Sequence, residues 1–179
     1  MRLRTPQLLA PAISFTLSEF KMLQNAQSVF NDFVQRLLGR EIQAASLFLN
    51  SLRLCVGCEF GEKAGLFLYF DPIWHLGGPK GVLVGSRQAQ VEERDAHAAL
   101  NLLVQELLGK KIERVTVDAL TGDIDIRFSG GYWVRTFVSD PTDDENWYIW
   151  DKQKNLVVTG LPTGLQLEER PARSDESTS

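Results

Sequence analysis

The chain has 179 residues, of which 44% are hydrophobic and 23% charged, and it carries a net charge of −4. This length can bury a core without metals or disulfides. No apolar run approaches the roughly 20 residues of a membrane helix, and two cysteines are too few for a disulfide framework, so a soluble cytoplasmic protein is expected.

The first residues, Met1 to Ile13, faintly imitate a secretion signal, but Pro11 interrupts the apolar run and residues 1–15 are read as an N-terminal segment. Thr16-Leu17-Ser18-Glu19 has capping-box spacing, in which threonine and glutamate each satisfy a free backbone donor at a helix start. Beyond it Leu23, Ala26, Phe30, Phe33 or Val34, and Leu37 share one helical face, and Gly39 supplies the left-handed stop. Strand patterns follow at 45–49, 52–56, 66–70, 73–75 and 82–84. Leu66-Phe67-Leu68-Tyr69-Phe70 is apolar on both sides, which places it in a sandwich or at a contact between halves or chains.

A second helix is predicted over about 91–108, with Ala96, Leu100, Leu103, Val104 and Leu107 on one face and Gly109 as its stop. Alternating segments then cover 112–118, 123–128, 132–138, 146–151 and 156–159, with turns at Thr121-Gly122 and Ser129-Gly130-Gly131. Residues 168–179 are charged and small, with nothing to bury, and are expected to be a disordered tail.

The two helix-to-strand passages read alike. Phe33-Val34-Gln35-Arg36-Leu37-Leu38-Gly39-Arg40-Glu41-Ile42 matches Leu103-Val104-Gln105-Glu106-Leu107-Leu108-Gly109-Lys110-Lys111-Ile112 at an offset of 70 residues. The expected fold is therefore α+β: a tandem duplication of a helix plus four-stranded antiparallel sheet, the copies at 16–86 and 87–167 related by a pseudo-twofold. Residues 1–86 hold eight Lys/Arg against six Asp/Glu, and residues 87–179 eleven against seventeen. Nucleic acid is disfavoured as a partner of the second half, and a basic protein is favoured.

Few residues combine into chemistry. Cys55-Val56-Gly57-Cys58 has half the ligands of a structural zinc site, and it closes a strand where a redox pair would open a helix. Two ordinary thiols are expected there. His75 and His97 stand without any hydrolase or nucleotide-binding motif, and Asp123 and Asp125 are expected on a solvated sheet face. No catalytic residue, metal or cofactor is assigned.

Asp140, Asp143, Asp144, Glu145 and Asp151 accompany Trp147, Tyr148 and Trp150. Aromatics supply rigid contact area and carboxylates select a basic partner, so Asp140, Asp143, Asp144, Glu145, Trp147 and Trp150, with the adjacent hairpin, are the candidate partner-binding surface. The competing reading turns Trp147 and Ile149 into the core.

The leucine-glycine pair at 108–109, the hairpin Phe128-Ser129-Gly130-Gly131 and the late Trp147 together resemble small bacterial domains grouped with the immunity proteins of polymorphic-toxin systems. The resemblance is carried by residues between 107 and 149 and implies a non-catalytic protein that neutralises a toxin by binding it. The alternatives are a small-molecule sensor or enzyme with its pocket between the repeats, and a homodimer formed through strand 66–70.

Overall fold

The computed structural model describes residues 17–62, 64–90, 93–118, 120–137 and 145–170, with side chains from residue 24 onward. It combines helices with two antiparallel sheets. Helix α1, Leu17–Leu37, leads into β1 (Ile42–Phe48), β2 (Ser51–Val56), β3 (Leu66–Phe70), β4 (Trp74–Gly78) and β5 (Gly81–Gly85). After α2 (Ser86–Ala89) and α3 (Arg94–Val104) come β6 (Ile112–Val117), β7 (Ile124–Phe128), β8 (Tyr132–Thr136), β9 (Trp147–Asp151), β10 (Leu156–Leu161) and β11 (Gly164–Glu169). Among the described residues no helix is long and apolar enough to cross a membrane.

Each half divides its strands between the sheets. The six-stranded sheet has the order β1-β2-β3-β9-β10-β11, and the five-stranded sheet β5-β4-β8-β7-β6. Three strands of one half thus meet strands of the other at β3–β9 and β4–β8. This differs from a self-contained four-stranded sheet in each half. A three-stranded sheet ending at β3 would leave an unpaired apolar edge, and pairing with β9 satisfies its backbone. Strand 66–70 is therefore internal, paired on both sides, and it joins the two halves of one chain.

The halves are also tied where their matching segments meet. Gly39 N donates to Ile112 O at 2.8 Å and Gly109 N to Ile42 O at 2.9 Å; Ile42 N donates to Lys110 O at 3.0 Å and Ile112 N to Arg40 O at 2.9 Å. Every bond has its counterpart 70 residues away. Gly39 and Gly109 reach these positions with φ of 75° and 72°, a region open to glycine at little steric cost. The pairing of β1 with β2 shifts register between Ile42 and Ala44, and that of β6 with β7 shifts between Ile112 and Arg114.

Ala26, Phe30, Phe33 and Leu37 of α1 are buried as their spacing requires, and Val104 and Leu107 serve on the second side. They join the inward residues of both sheets in one continuous core. The predicted helix 91–108 is shorter than its pattern: α3 ends at Val104 and a 3₁₀ turn, Gln105–Leu107, tightens the approach to Gly109. Thr16 of the expected capping box lies outside the described residues. The expected tail begins too early, because Glu168 and Glu169 pair with Val157 and Leu156 as the end of β11. Residues 171–179 lie outside the described residues.

Trp147 sits deep in this core at 1% exposure and donates its Nε1–H to Gly122 O at 2.7 Å. Trp74 is placed alike, donating to Asn50 O at 2.8 Å. Gly160, paired with Trp147 across β9 and β10, leaves room for the indole; an added Cβ would fall inside van der Waals contact of the ring. Gly160→Ala is expected to lower stability by about 2 kcal/mol, read from the midpoint of urea unfolding, because the overpacked indole must move in a filled core.

Candidate functional site

The middle of the six-stranded sheet presents a line of aromatic rings on its outer face. Alternation along β3 and β9 sends Leu66, Leu68, Phe70, Trp147, Ile149 and Asp151 inward, which leaves Phe67, Tyr69, Tyr148 and Trp150 half-buried outside. The register sets Phe67 opposite Trp150 and Tyr69 opposite Tyr148. The first pair is tilted with centroids 6.1 Å apart; the second stacks at 4.8 Å with its planes within 10°.

Cations lie over these rings. Lys152 Nζ stands 3.9 Å from the Phe67 centroid and donates to Glu62 O at 3.0 Å. The Arg170 guanidinium lies 4.9 Å from the Tyr148 centroid, and Arg53, opposite Tyr69 on β2, covers Phe48 and Phe60. Three buried polar atoms without a hydrogen-bond partner belong to residues of this face: Arg53 Nε, Trp150 Nε1 and Thr159 Oγ1. Such atoms are rare in folded proteins, and each leaves hydrogen-bonding capacity unused.

At one end of the tyrosine stack a small cleft of about 50 Å³ is walled by Tyr69, Tyr148, Asp71, Glu145 and Trp147. Burial pushes the Asp71 carboxyl above its ordinary value, and a hydrogen bond from Ser51 only partly offsets this. Asn50 Nδ2 approaches Asp71 Oδ1 at 3.4 Å, and no ion pair to Asp71 is formed among the described residues. Burial likewise raises the Tyr148 phenol, against the pull of Arg170.

The predicted binding residues therefore separate. Trp150 lies in the aromatic row and Glu145 walls its cleft, while Asp140, Asp143 and Asp144 lie outside the described residues. Trp147 is not a surface aromatic: its indole packs in the core against Phe30 at 1% exposure, and the residue meets the cleft only as part of its wall. Asp151 is also interior, bound to Arg36 of α1 at 2.6 Å and accepting from Gln153 N and Lys154 N. The hairpin of β7 and β8 belongs to the other sheet. From sequence, Phe67 and Tyr69 have only the contact role of strand 66–70, signalled by its two-sided apolarity, and Tyr148 and Asp71 have no assigned binding role.

The remaining chemical candidates are quiet. Cys55 and Cys58 are free, buried, and in contact through their thiols. Burial pushes both thiols up, and the neighbouring Cys58 pushes Cys55 further. No group of three or more His, Cys, Asp or Glu able to hold a metal ion occurs among the described residues. His97 Nε2 donates to Leu49 O at 3.1 Å, a structural tie, and His75 packs on Phe137. Asp125 is not bare: its side chain, 14% exposed, accepts from Arg127 Nε at 2.6 Å and Arg135 Nε at 2.8 Å. Asp123 accepts from Thr121 Oγ1 at 2.8 Å. On the face expected to be solvated, Asp125 sits in a network of ion pairs, and Asp123 accepts from the hydroxyls of Thr121 and Thr136.

No protein-family model matches the chain, and no curated protein or solved structure matches it. The resemblance to immunity proteins stands on residues 107–149 alone.

Two measurements check this electrostatic picture. A raised carboxyl favours the protonated folded state, so the stability it contributes is present below the unfolded pKa and is lost as pH rises. Asp71→Asn should raise the urea midpoint at pH 7, with the gain vanishing near pH 3, below the ordinary aspartate value of about 3.9. Iodoacetamide should label Cys55 and Cys58 about tenfold or more slowly in the native protein than in urea, because only the thiolate reacts.

Proposed function

We propose that this is a non-catalytic protein-binding module built by tandem duplication of a helix-and-sheet unit, its copies related by a pseudo-twofold. The four reciprocal hydrogen bonds between residues 39–42 and 109–112, all conforming to one 70-residue offset, support the duplication. So do the matching register shifts after Ile42 and Ile112.

The proposed binding surface is the outer aromatic row of Phe67, Tyr69, Tyr148 and Trp150, and its partner is a protein that inserts a basic side chain beside Asp71 and Glu145. One observation carries this reading: the stacked tyrosines end in a cleft whose buried-side carboxylate, Asp71, lacks a cation. A guanidinium entering there would pack at the end of the tyrosine stack and neutralise the carboxylates together. Neutralisation of a toxin by binding is the setting that the resemblance to immunity proteins implies. A ligand pocket between the halves is the second reading: an open groove of about 420 Å³ lies where α1 of the first half faces β6 and β11 of the second, while the rest of the inward faces packs into one core.

The test titrates a capped glycine–arginine–glycine peptide into isotope-labelled protein and follows the amide resonances. Shifts confined to residues 67–71 and 145–150 are expected, absent with a glycine–glutamate–glycine peptide and lost in the Asp71→Asn, Glu145→Gln double variant. An arginine peptide that moves nothing there at about 10 mM, roughly ten times a dissociation constant of about 1 mM, overturns the reading.

A further inference from the structure

The edges of the two sheets are finished differently at positions 70 residues apart. On β1, Leu47 N donates to Asn101 Oδ1 of α3 at 2.8 Å, and His97 of the same helix holds Leu49 O. Helix α3 packs along β1 and closes that edge. Counted from the same register shift, Val117 of β6 corresponds to Leu47, and Asn31 of α1 corresponds to Asn101. The corresponding bond is not made. Asn31 Oδ1 accepts from Gln27 Nε2 at 3.1 Å, and α1 packs on β10 and β11 instead. Strand β11 has no counterpart in the first half, where α2 follows β5, and it supplies the seat that draws α1 aside.

The edge of β6 is left open as a result. Its start is paired, through Ile112, with Gly39 and Arg40; from Glu113 to Val117 it pairs with β7 on one side and with no described strand on the other. Grooves flank this edge on both faces of the sheet. On the inner face, about 420 Å³ lies between β6, α1 and β11, with Phe30, Val115, Val117 and Leu165 among its walls. On the outer face, the 490 Å³ cleft has Arg114 toward one end and Asp118 toward the other.

We propose that β6 from Glu113 to Val117 is a docking site for an extended segment of a partner protein, which adds as a further antiparallel strand of the five-stranded sheet. Unpaired strand edges recruit strands in this way, with main-chain bonds giving affinity and alternate side chains giving selection. The charges set the pattern. Arg114, Thr116 and Asp118 share the outer face, Arg114 is 61% exposed with its nearest carboxylate, Asp125, at 4.0 Å, and the Asp118 carboxyl is held low by the Leu120 and Thr121 amides. An antiparallel segment therefore carries a basic residue opposite Asp118 and an acidic residue four positions later opposite Arg114. Apolar residues between them fill the inner groove beside Val117 and Val115.

This site is separate from the aromatic face and does not depend on it. The probe is a fluorescent peptide containing lysine, valine, threonine, valine and glutamate in that order, between glycine-serine flanks, titrated by anisotropy and by amide hydrogen exchange. Saturable binding with slowed exchange at residues 113–117 is expected. Arg114→Glu, at an exposed position, should weaken binding roughly three- to tenfold, and a peptide with lysine in place of its glutamate should restore it. The Asp71→Asn, Glu145→Gln double variant should bind the peptide unchanged, which separates this site from the arginine cleft. No binding at about 1 mM, binding without protection of β6, or indifference to Arg114→Glu would each overturn the proposal.

Discussion

The reciprocal exchange of backbone hydrogen bonds between Gly39–Ile42 and Gly109–Ile112 is the constraint on which the arrangement depends. A left-handed glycine follows α1 and follows the 3₁₀ turn after α3, and that turn aims the next strand at the other half. With the starts of β1 and β6 held together, neither half closes on itself. Its last strands cross to the other sheet, and β3–β9 and β4–β8 become internal pairs. A backbone that must satisfy its own donors and acceptors away from water ties these features to one another.

Within that frame the two outer faces differ. The six-stranded sheet carries Phe67, Tyr69, Tyr148 and Trp150 under Lys152 and Arg170, whereas the five-stranded sheet carries Asp125 among Arg114, Arg127 and Arg135, with Trp133 beside them. A solvent-facing row is free to change because its residues are not needed to fill the core. One face offers stacking area with a carboxylate cleft at its end. The other is occupied by its own ion pairs.

The β10–β11 hairpin adds a further departure from likeness. It extends the six-stranded sheet, seats α1, and leaves β6 without the helix that covers β1. Its sequence gave little notice. Gly164-Leu165-Gln166-Leu167 alternates for only a few residues before the charged Glu168 and Glu169, and a short edge strand next to a polar stretch reads as tail.

Period and punctuation in the sequence determined α1 and α3, ten of the strands and the two glycine stops, because the side-chain repeat of each element and the left-handed freedom of glycine are local properties, whereas the single turn of α2 is too short to show a period. The offset of 70 residues was equally legible. Which sheet each strand joins was not, since alternation marks faces and says nothing of neighbours. Nor was the direction of Trp147 decided locally: it shares a face with Ile149 and with charged Asp151, and that face turns inward where Phe30, Gly122 and Gly160 receive the indole and Arg36, 115 residues from Asp151, meets the carboxylate. Trp150 is left on the surface, and Tyr69 reaches Tyr148, by the same long-range pairing. Only the tertiary structure could bring them together, because the register of β3 against β9 is a contact between residues some eighty positions apart.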